Sequence, residues 1–275
     1  NKKLHLLSIM NIYKRIKKPR VSWPAVFALV VFVFMYLPIL VLAFYSFNQS
    51  PYSAKWQGFT LEWYGKLFSD ERILSGLYNS LLVGFCAVGV SAILGTLMAV
   101  GLARYEFPGK KLYQGIASLP LLIPDIAIAV STLVCLAAFA IPLSIWTIIA
   151  AHIVFCLSYV GLVVSSRMNN INPHLEEAAL DLGATPIQAF ILVLLPQLMP
   201  GIISGCLLAF VLSLDDFLIA SFTAGSGTNT LPMEIFSRIR TGVKPDINAL
   251  SVMLISTTAI VALIGELIRT AGERR

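Results

Sequence analysis

Charge is what this chain has least of. Only 12% of its 275 residues are Asp, Glu, Lys or Arg, whereas 57% are hydrophobic, and the mean hydropathy is +0.83. A soluble domain of this size cannot hide that much apolar surface. The net charge of +6 would suit nucleic acid, but the basic residues collect at the ends of apolar runs, a pattern of membrane topology. Cysteine is scarce too. Cys86, Cys135, Cys156 and Cys206 each lie in an apolar run and none forms a C-x-x-C pair. They read as small hydrophobes, which argues against a disulfide framework or a metal site. No G-x-x-x-x-G-K-[ST] loop is present, so the chain does not bind ATP in that way. The glycine-rich AGSGTNT at Ala224–Thr230 lacks that pattern and reads as a flexible loop. Catalytic signatures of intramembrane proteases are also missing, and His152 is followed by Ile153 where H-E-x-x-H needs glutamate. The sequence therefore offers no catalytic residue and no metal-ligand set.

What is present is apolar length. A helix needs about 20 apolar residues to span a bilayer. Six runs qualify, at 24–46, 76–103, 112–140, 143–165, 188–213 and 247–269. The expected fold is an all-α membrane protein of six transmembrane helices. The first run is too long for a signal-peptide core and reads as an uncleaved span. Lys2, Lys3, Lys14, Arg15, Lys17, Lys18 and Arg20 precede it. With that arm inside, Arg104, Lys110, Lys111, Arg167, Arg269, Arg274 and Arg275 are also inside, and fewer basic residues are outside. Both termini are then cytoplasmic. The expected organisation is an N-terminal arm (1–22), a six-span domain (23–272) and a C-terminal tail (273–275). The first outer loop carries Tyr52, Trp56, Trp63, Tyr64 and Phe68, a density suited to the outer interface.

One inner segment is neither greasy nor random. Asn172 can cap a helix and Pro173 suits its first position. Leu175, Ala178, Ala179 and Leu182 form an apolar stripe, with Glu177 and Asp181 on the other side. Gly183 stops the helix, and Thr185-Pro186-Ile187-Gln188 starts another with a capping box. Taken alone, this is a short interfacial helix, a corner and a helix entering the membrane. The spacing Glu177-Ala178-Ala179, Gly183, Leu195-Pro196 resembles the signature of permease subunits of binding-protein-dependent ABC importers. Val193 stands where that family often has isoleucine. The resemblance implies a type I importer permease fold in which residues 172–184 hold a coupling helix that docks on an ATPase dimer. ATP and magnesium would bind that partner, and this chain would carry no cofactor. Glu177 would offer its charge to a basic residue of the ATPase.

Further stretches resemble permeases of spermidine/putrescine importers. They are Ser46–Asn48, Trp56–Tyr64, Pro124–Ile126, His152–Leu157, Ser213–Phe217 and Gly242–Leu250. This resemblance implies a polyamine pathway shared with a second, homologous permease. An external binding protein would supply it, in the inner membrane of a bacterial cell. The residues agree, because a polyammonium chain crossing a low-dielectric protein needs carboxylates, helped by aromatic faces. Asp125 lies about 13 residues into the third run, roughly 20 Å at helical rise, where Pro120 and Pro124 break the helix. It either lines the pathway or caps the restarted helix, and the two roles are compatible. Asp215 and Asp216 end the fifth run. They read as pathway residues, of which one faces inward, or as a solvated helix end. Glu266 is expected to pair with Arg269 or reach water, and His152 to bond a neighbouring helix. The rival readings are the same importer class with another substrate, and a secondary transporter driven by an ion gradient. The latter leaves the segment 172–196 without a role.

Overall fold

The computed structural model describes residues 23–50, 55–172, 174–242 and 244–273, and only the backbone for 241, 261–262 and 264–273. The basic N-terminal arm, Tyr52, Pro173, the end of the C-terminal tail, and the side chains of Glu266 and Arg269 lie outside that description. The described residues are almost wholly helical, and the chain divides into two compact units, residues 1–64 with 244–275 and residues 65–243.

The first unit holds α1 (Trp23–Tyr45) and α11 (Pro245–Glu273), which pack on one another. No residue of α1 is buried, so a helix apolar on every side faces outward. After α1 the chain turns around Asn48, which is fully buried. Its Oδ1 accepts from the Gln57 amide at 3.0 Å, its Nδ2 donates to the Lys55 carbonyl, and its own carbonyl accepts from Trp63 Nε1 at 2.7 Å. Phe47 stacks on Phe59 and Tyr64, and Phe44 stacks on Trp56. The aromatic loop after α1 thus packs largely upon itself around one amide. The short α2 (Glu62–Phe68) follows.

The second unit is built on α3 (Glu71–Arg104), α6 (Ile145–Met168) and α8 (Pro186–Asp215). Asp70 caps α3 by accepting from the Arg72 and Ile73 amides. The three helices meet over Ala87, Ala99, Cys156, Val160, Val164, Leu198 and Ala209, all fully or almost fully buried. Small residues set that spacing. A Cβ on Gly95 would come within 3.1 Å of the Gly161 amide, and one on Gly205 within 3.2 Å of Val160 Cα. These three helices and α1 are long and apolar enough to cross a membrane.

The run at 112–140 is not one straight span. It is α4 (Lys110–Leu122) and α5 (Asp125–Ala138), bent by 112° at Ile123–Pro124. Proline at 124 lacks an amide donor and disfavours helix at the residue before it, so the ladder ends at Ile123 and restarts. The depth of Asp125 taken along a straight helix is corrected by that bend. The sixth run lies within α11, whose described apolar stretch is Pro245–Ile260.

The glycine-rich loop is also not loose. Gly225 sits where a side chain would run into the Leu143 carbonyl, and Asn79 Nδ2 donates to the Asn229 carbonyl at 2.9 Å. Beyond it, α10 (Leu231–Thr241) is held by the Leu231 amide donating to Ser80 Oγ and by Arg238 paired with Asp70 at 2.7 Å. Burial works to raise the Asp70 carboxyl. The hydrogen bond and charge of Arg238, with the Ile73 and Arg72 amides, outweigh it and hold the group below its ordinary 3.8.

Candidate functional site

Two places carry the polar chemistry, at opposite ends of α8. The first is the corner before it. Helix α7 (His174–Asp181) begins where Asn172 Oδ1 accepts from the His174 amide at 3.0 Å. It ends in a Schellman motif: the Ala184 amide donates to the Ala179 carbonyl and the Gly183 amide to Leu180. Gly183 has φ +89°, a left-handed conformation that favours glycine there. Thr185 and Gln188 then form the expected reciprocal capping box. Local sequence signals were sufficient for each of these features.

The corner is open where an apolar stripe was expected. Leu182 is 90% exposed, and Leu175, Ala178 and Leu180 are also exposed, whereas Ala179 is half-buried. Glu177 is exposed and meets His174 Nδ1 at 2.8 Å. Its neighbour Glu176 turns the other way, and its Oε2 lies 2.5 Å from an Arg104 guanidinium nitrogen at the end of α3. By distance this is an ion pair, although that oxygen makes no well-aligned hydrogen bond. The pair joins residues 72 positions apart, beyond the reach of local pattern. Helix α7 also packs on Phe190–Leu194, a π-helical segment of α8. Leu195 and Pro196 follow it, half-buried and exposed respectively. Pro196 has no amide for the Leu192 carbonyl, and the ladder is mended by the Leu195 amide donating to Phe190.

The second place lies at the far end of α8, 30 residues on and about 45 Å away along a helix. A cavity of about 260 Å³ there is lined by Asp125, Asp215, Asp216, Phe155, Tyr159 and Phe217, among others. All three acids named from the sequence meet in it. Asp125 is the first residue of α5 and does not cap it; Asp215 is the last of α8. Both are exposed, and neither makes a hydrogen bond or ion pair among the described residues.

Asp216 differs. It caps α9 (Leu218–Thr223), with Oδ1 accepting from the Ile219 amide at 3.2 Å and Oδ2 from Ala220 at 2.8 Å. His152, 1% exposed on α6, lies with Nε2 3.3 Å from Asp216 Oδ2. Its Nδ1 is 2.8 Å from Ser213 Oγ, the expected bond to a neighbouring helix. The link to Asp216 was not expected. The H-x-x-F run and the Ser-Leu-Asp-Asp run each signal function singly, but nothing local pairs them across 64 residues.

The described residues hold no group of three His, Cys, Asp or Glu side chains suited to a metal ion. Carboxylates without a basic partner, beside aromatic faces, suit an organic cation instead.

Comparison with known proteins follows the same line. A family model described as binding-protein-dependent transport system inner membrane component matches residues 91–275. The putrescine transport system permease protein PotI of Escherichia coli K12 is 42% identical over 264 residues, covering 93% of this chain and 94% of that protein. The spermidine/putrescine transport system permease protein PotC of Haemophilus influenzae is 37% identical over 242 residues, covering 88% and 94%. A chain of a bacterial ABC transporter that imports the acidic polysaccharide alginate superposes with a TM-score of 0.70 at 15% identity, covering 97% of each chain. That last likeness concerns the fold alone.

Proposed function

This chain belongs to the family of inner membrane components of binding-protein-dependent transport systems, and from that premise we propose that it is a permease subunit carrying polyamines through the acidic cavity. It is a transport component and not an enzyme. The observation that carries the substrate class is the meeting of Asp125 and Asp215, both unpaired among the described residues, with Phe155, Tyr159 and Phe217 around one cavity. The putrescine and spermidine permeases to which the chain is similar support the same class.

In this reading the chain has six spans in a type I arrangement, with α4 and α5 as the broken third and α11 as the sixth. Both termini are cytoplasmic. Helix α7 is the coupling helix, docking its exposed Leu182, Leu180 and Glu177 on a subunit of an ATPase dimer that holds ATP and magnesium. Arg104–Glu176 and the π segment fix the corner, so that a push there reaches α8 and the cavity at its other end. Asp125 and Asp215 receive ammonium groups, and Asp216 holds the cavity wall. A second homologous permease completes the pathway, and an external binding protein delivers the polyamine. The push changes the relative stability of inward- and outward-open states.

The test is uptake of labelled putrescine and spermidine by proteoliposomes of the complete importer. Uptake should require ATP and survive collapse of the membrane potential. Uptake driven by potential without ATP would favour the secondary-transporter reading.

A further inference from the structure

We propose that a second cavity, between α3, α4 and α6, is a charge-free station through which the polyamine leaves toward the inner side. The inference rests on the cation-cavity reading above. This cavity has a volume of about 330 Å³. Gln114 and Ser118 of α4 line it, with Ser158, Ser165 and Asn169 of α6 and small or apolar residues of α3. No Asp, Glu, Lys or Arg is among its lining residues. It lies toward the corner. Ala103 in its wall precedes Arg104, the partner of Glu176, and Asn169 stands shortly before Asn172 at the start of α7.

The two cavities share one face of α6. Phe155 lines the acidic cavity, and Ser158, Leu162, Ser165 and Asn169 line the second. These residues recur at steps of three and four, which places them on one side of a helix. On α4, Pro120 lines the acidic cavity, and Gln114, Ala117, Ser118 and Leu121 line the second with the same spacing. A cation leaving Asp125 and Asp215 along these faces meets hydroxyls and carboxamides next.

Polar side chains within membrane helices are costly unless they find partners or water. The side chains of Gln114, Ser165 and Asn169 make no hydrogen bond among the described residues. Ser118 and Ser158 each donate to a carbonyl of their own helix, at 2.9 and 3.5 Å, and keep acceptor lone pairs. These neutral oxygens can take the N–H groups of an ammonium, but each holds it less tightly than a carboxylate does. Affinity therefore steps down from the acidic cavity toward the corner, and a site near the exit must bind weakly enough to let its cargo go. The nearby charges Arg104 and Lys110 are paired with Glu176 and Glu106.

The test uses the complete importer in proteoliposomes. Gln114→Glu puts a carboxylate into the station and should retain the polyamine there. Maximal ATP-driven uptake of labelled spermidine should fall about tenfold, the effect of one ion pair in a partly hydrated cavity. KM should fall with it, because slow release lowers both. A merely structural fault would lower the rate without lowering KM, and Gln114→Leu, which adds no charge, should leave KM unchanged. Independently, Ser118→Cys on an otherwise cysteine-free chain should react with an impermeant cationic thiosulfonate from the inner face, and excess spermidine should slow that reaction. An unreactive Ser118→Cys protein, as expected if lipid or a helix of the second permease fills the cavity, overturns the proposal. So does a reaction that spermidine does not slow, or a Gln114→Glu importer with unchanged KM. If Asp125→Asn and Asp215→Asn leave KM for both amines unchanged, it is the cation-cavity reading that fails.

Discussion

Breaking the Arg104–Glu176 pair should loosen the corner without unfolding the protein. The two charges lie 2.5 Å apart at their nearest atoms, with about a quarter of each side chain exposed. Taking the charge centres as about 4 Å apart, at an effective dielectric constant near 20 the bare attraction is about 4 kcal/mol, and desolvation and screening leave roughly 1–2 kcal/mol. If that energy holds α7 in its docking orientation, Glu176→Gln or Arg104→Gln should deplete that orientation about five- to thirtyfold. Initial rates of ATP-driven polyamine uptake would fall accordingly, while the amount of permease in the membrane stays constant. The charge swap Arg104→Glu with Glu176→Arg should recover most of the loss, because it restores the pair and leaves other contacts in place. A double-mutant cycle on the rates isolates the pairwise energy. A coupling energy near zero, with the swap no better than the single variants, would refute the role given to this pair.

Gly225→Ala should cost about 1–3 kcal/mol, because its Cβ would clash with the Leu143 carbonyl oxygen and backbone cannot swing aside. Thermal stability of the purified chain reads this, with Gly89→Ala, which meets nothing within 4 Å, as the neutral control. Asp215→Asn should weaken polyamine binding roughly tenfold, since it removes an ammonium partner in an open, partly hydrated cavity. The same change should leave ATPase association untouched, as measured by co-purification. Asp70 is held below its ordinary 3.8, so its stabilisation of α10 is present above that value and lost as pH falls through the lowered one. Hydrogen exchange across Leu231–Thr241, corrected for intrinsic rate, should be steady from pH 5 to 8 and rise below about pH 4. Asp70→Asn should show the raised exchange throughout.

The parts of this architecture that follow from neighbours in sequence were legible there. Asn172, Gly183 and the Thr185–Gln188 pair mark their helix ends because capping acts within about four residues. The apolar runs mark α1, α3, α6 and α8 for the same local reason, since length and hydropathy are properties of a segment. Pro120 and Pro124 announced a break, but a missing amide does not specify the direction of the restarted helix. The 112° bend is settled by packing. Helix α10 was not legible although Thr230, Pro232 and Gly242 frame it with a residue type common at helix starts, an early proline and a stop; the Thr230 hydroxyl itself makes no capping bond. The glycine-rich stretch before it has the composition of a flexible loop, which hides those signals. Asp215 and Asp216 are adjacent in sequence yet differ in role, because the helix ends between them and Asp216 turns to cap the next one. The links Arg104–Glu176 and His152–Asp216 have no local signature at all, as each depends on which helices become neighbours.

The most direct measurement is a cross-link at the corner. Cysteine placed at Leu182, on an otherwise cysteine-free chain, should join by a short bismaleimide to the ATPase subunit of the assembled importer and resist impermeant maleimide applied from the outer face. Labelling from outside, or no cross-link to any nucleotide-hydrolysing subunit, would contradict the account that ATP-derived force enters the permease at α7.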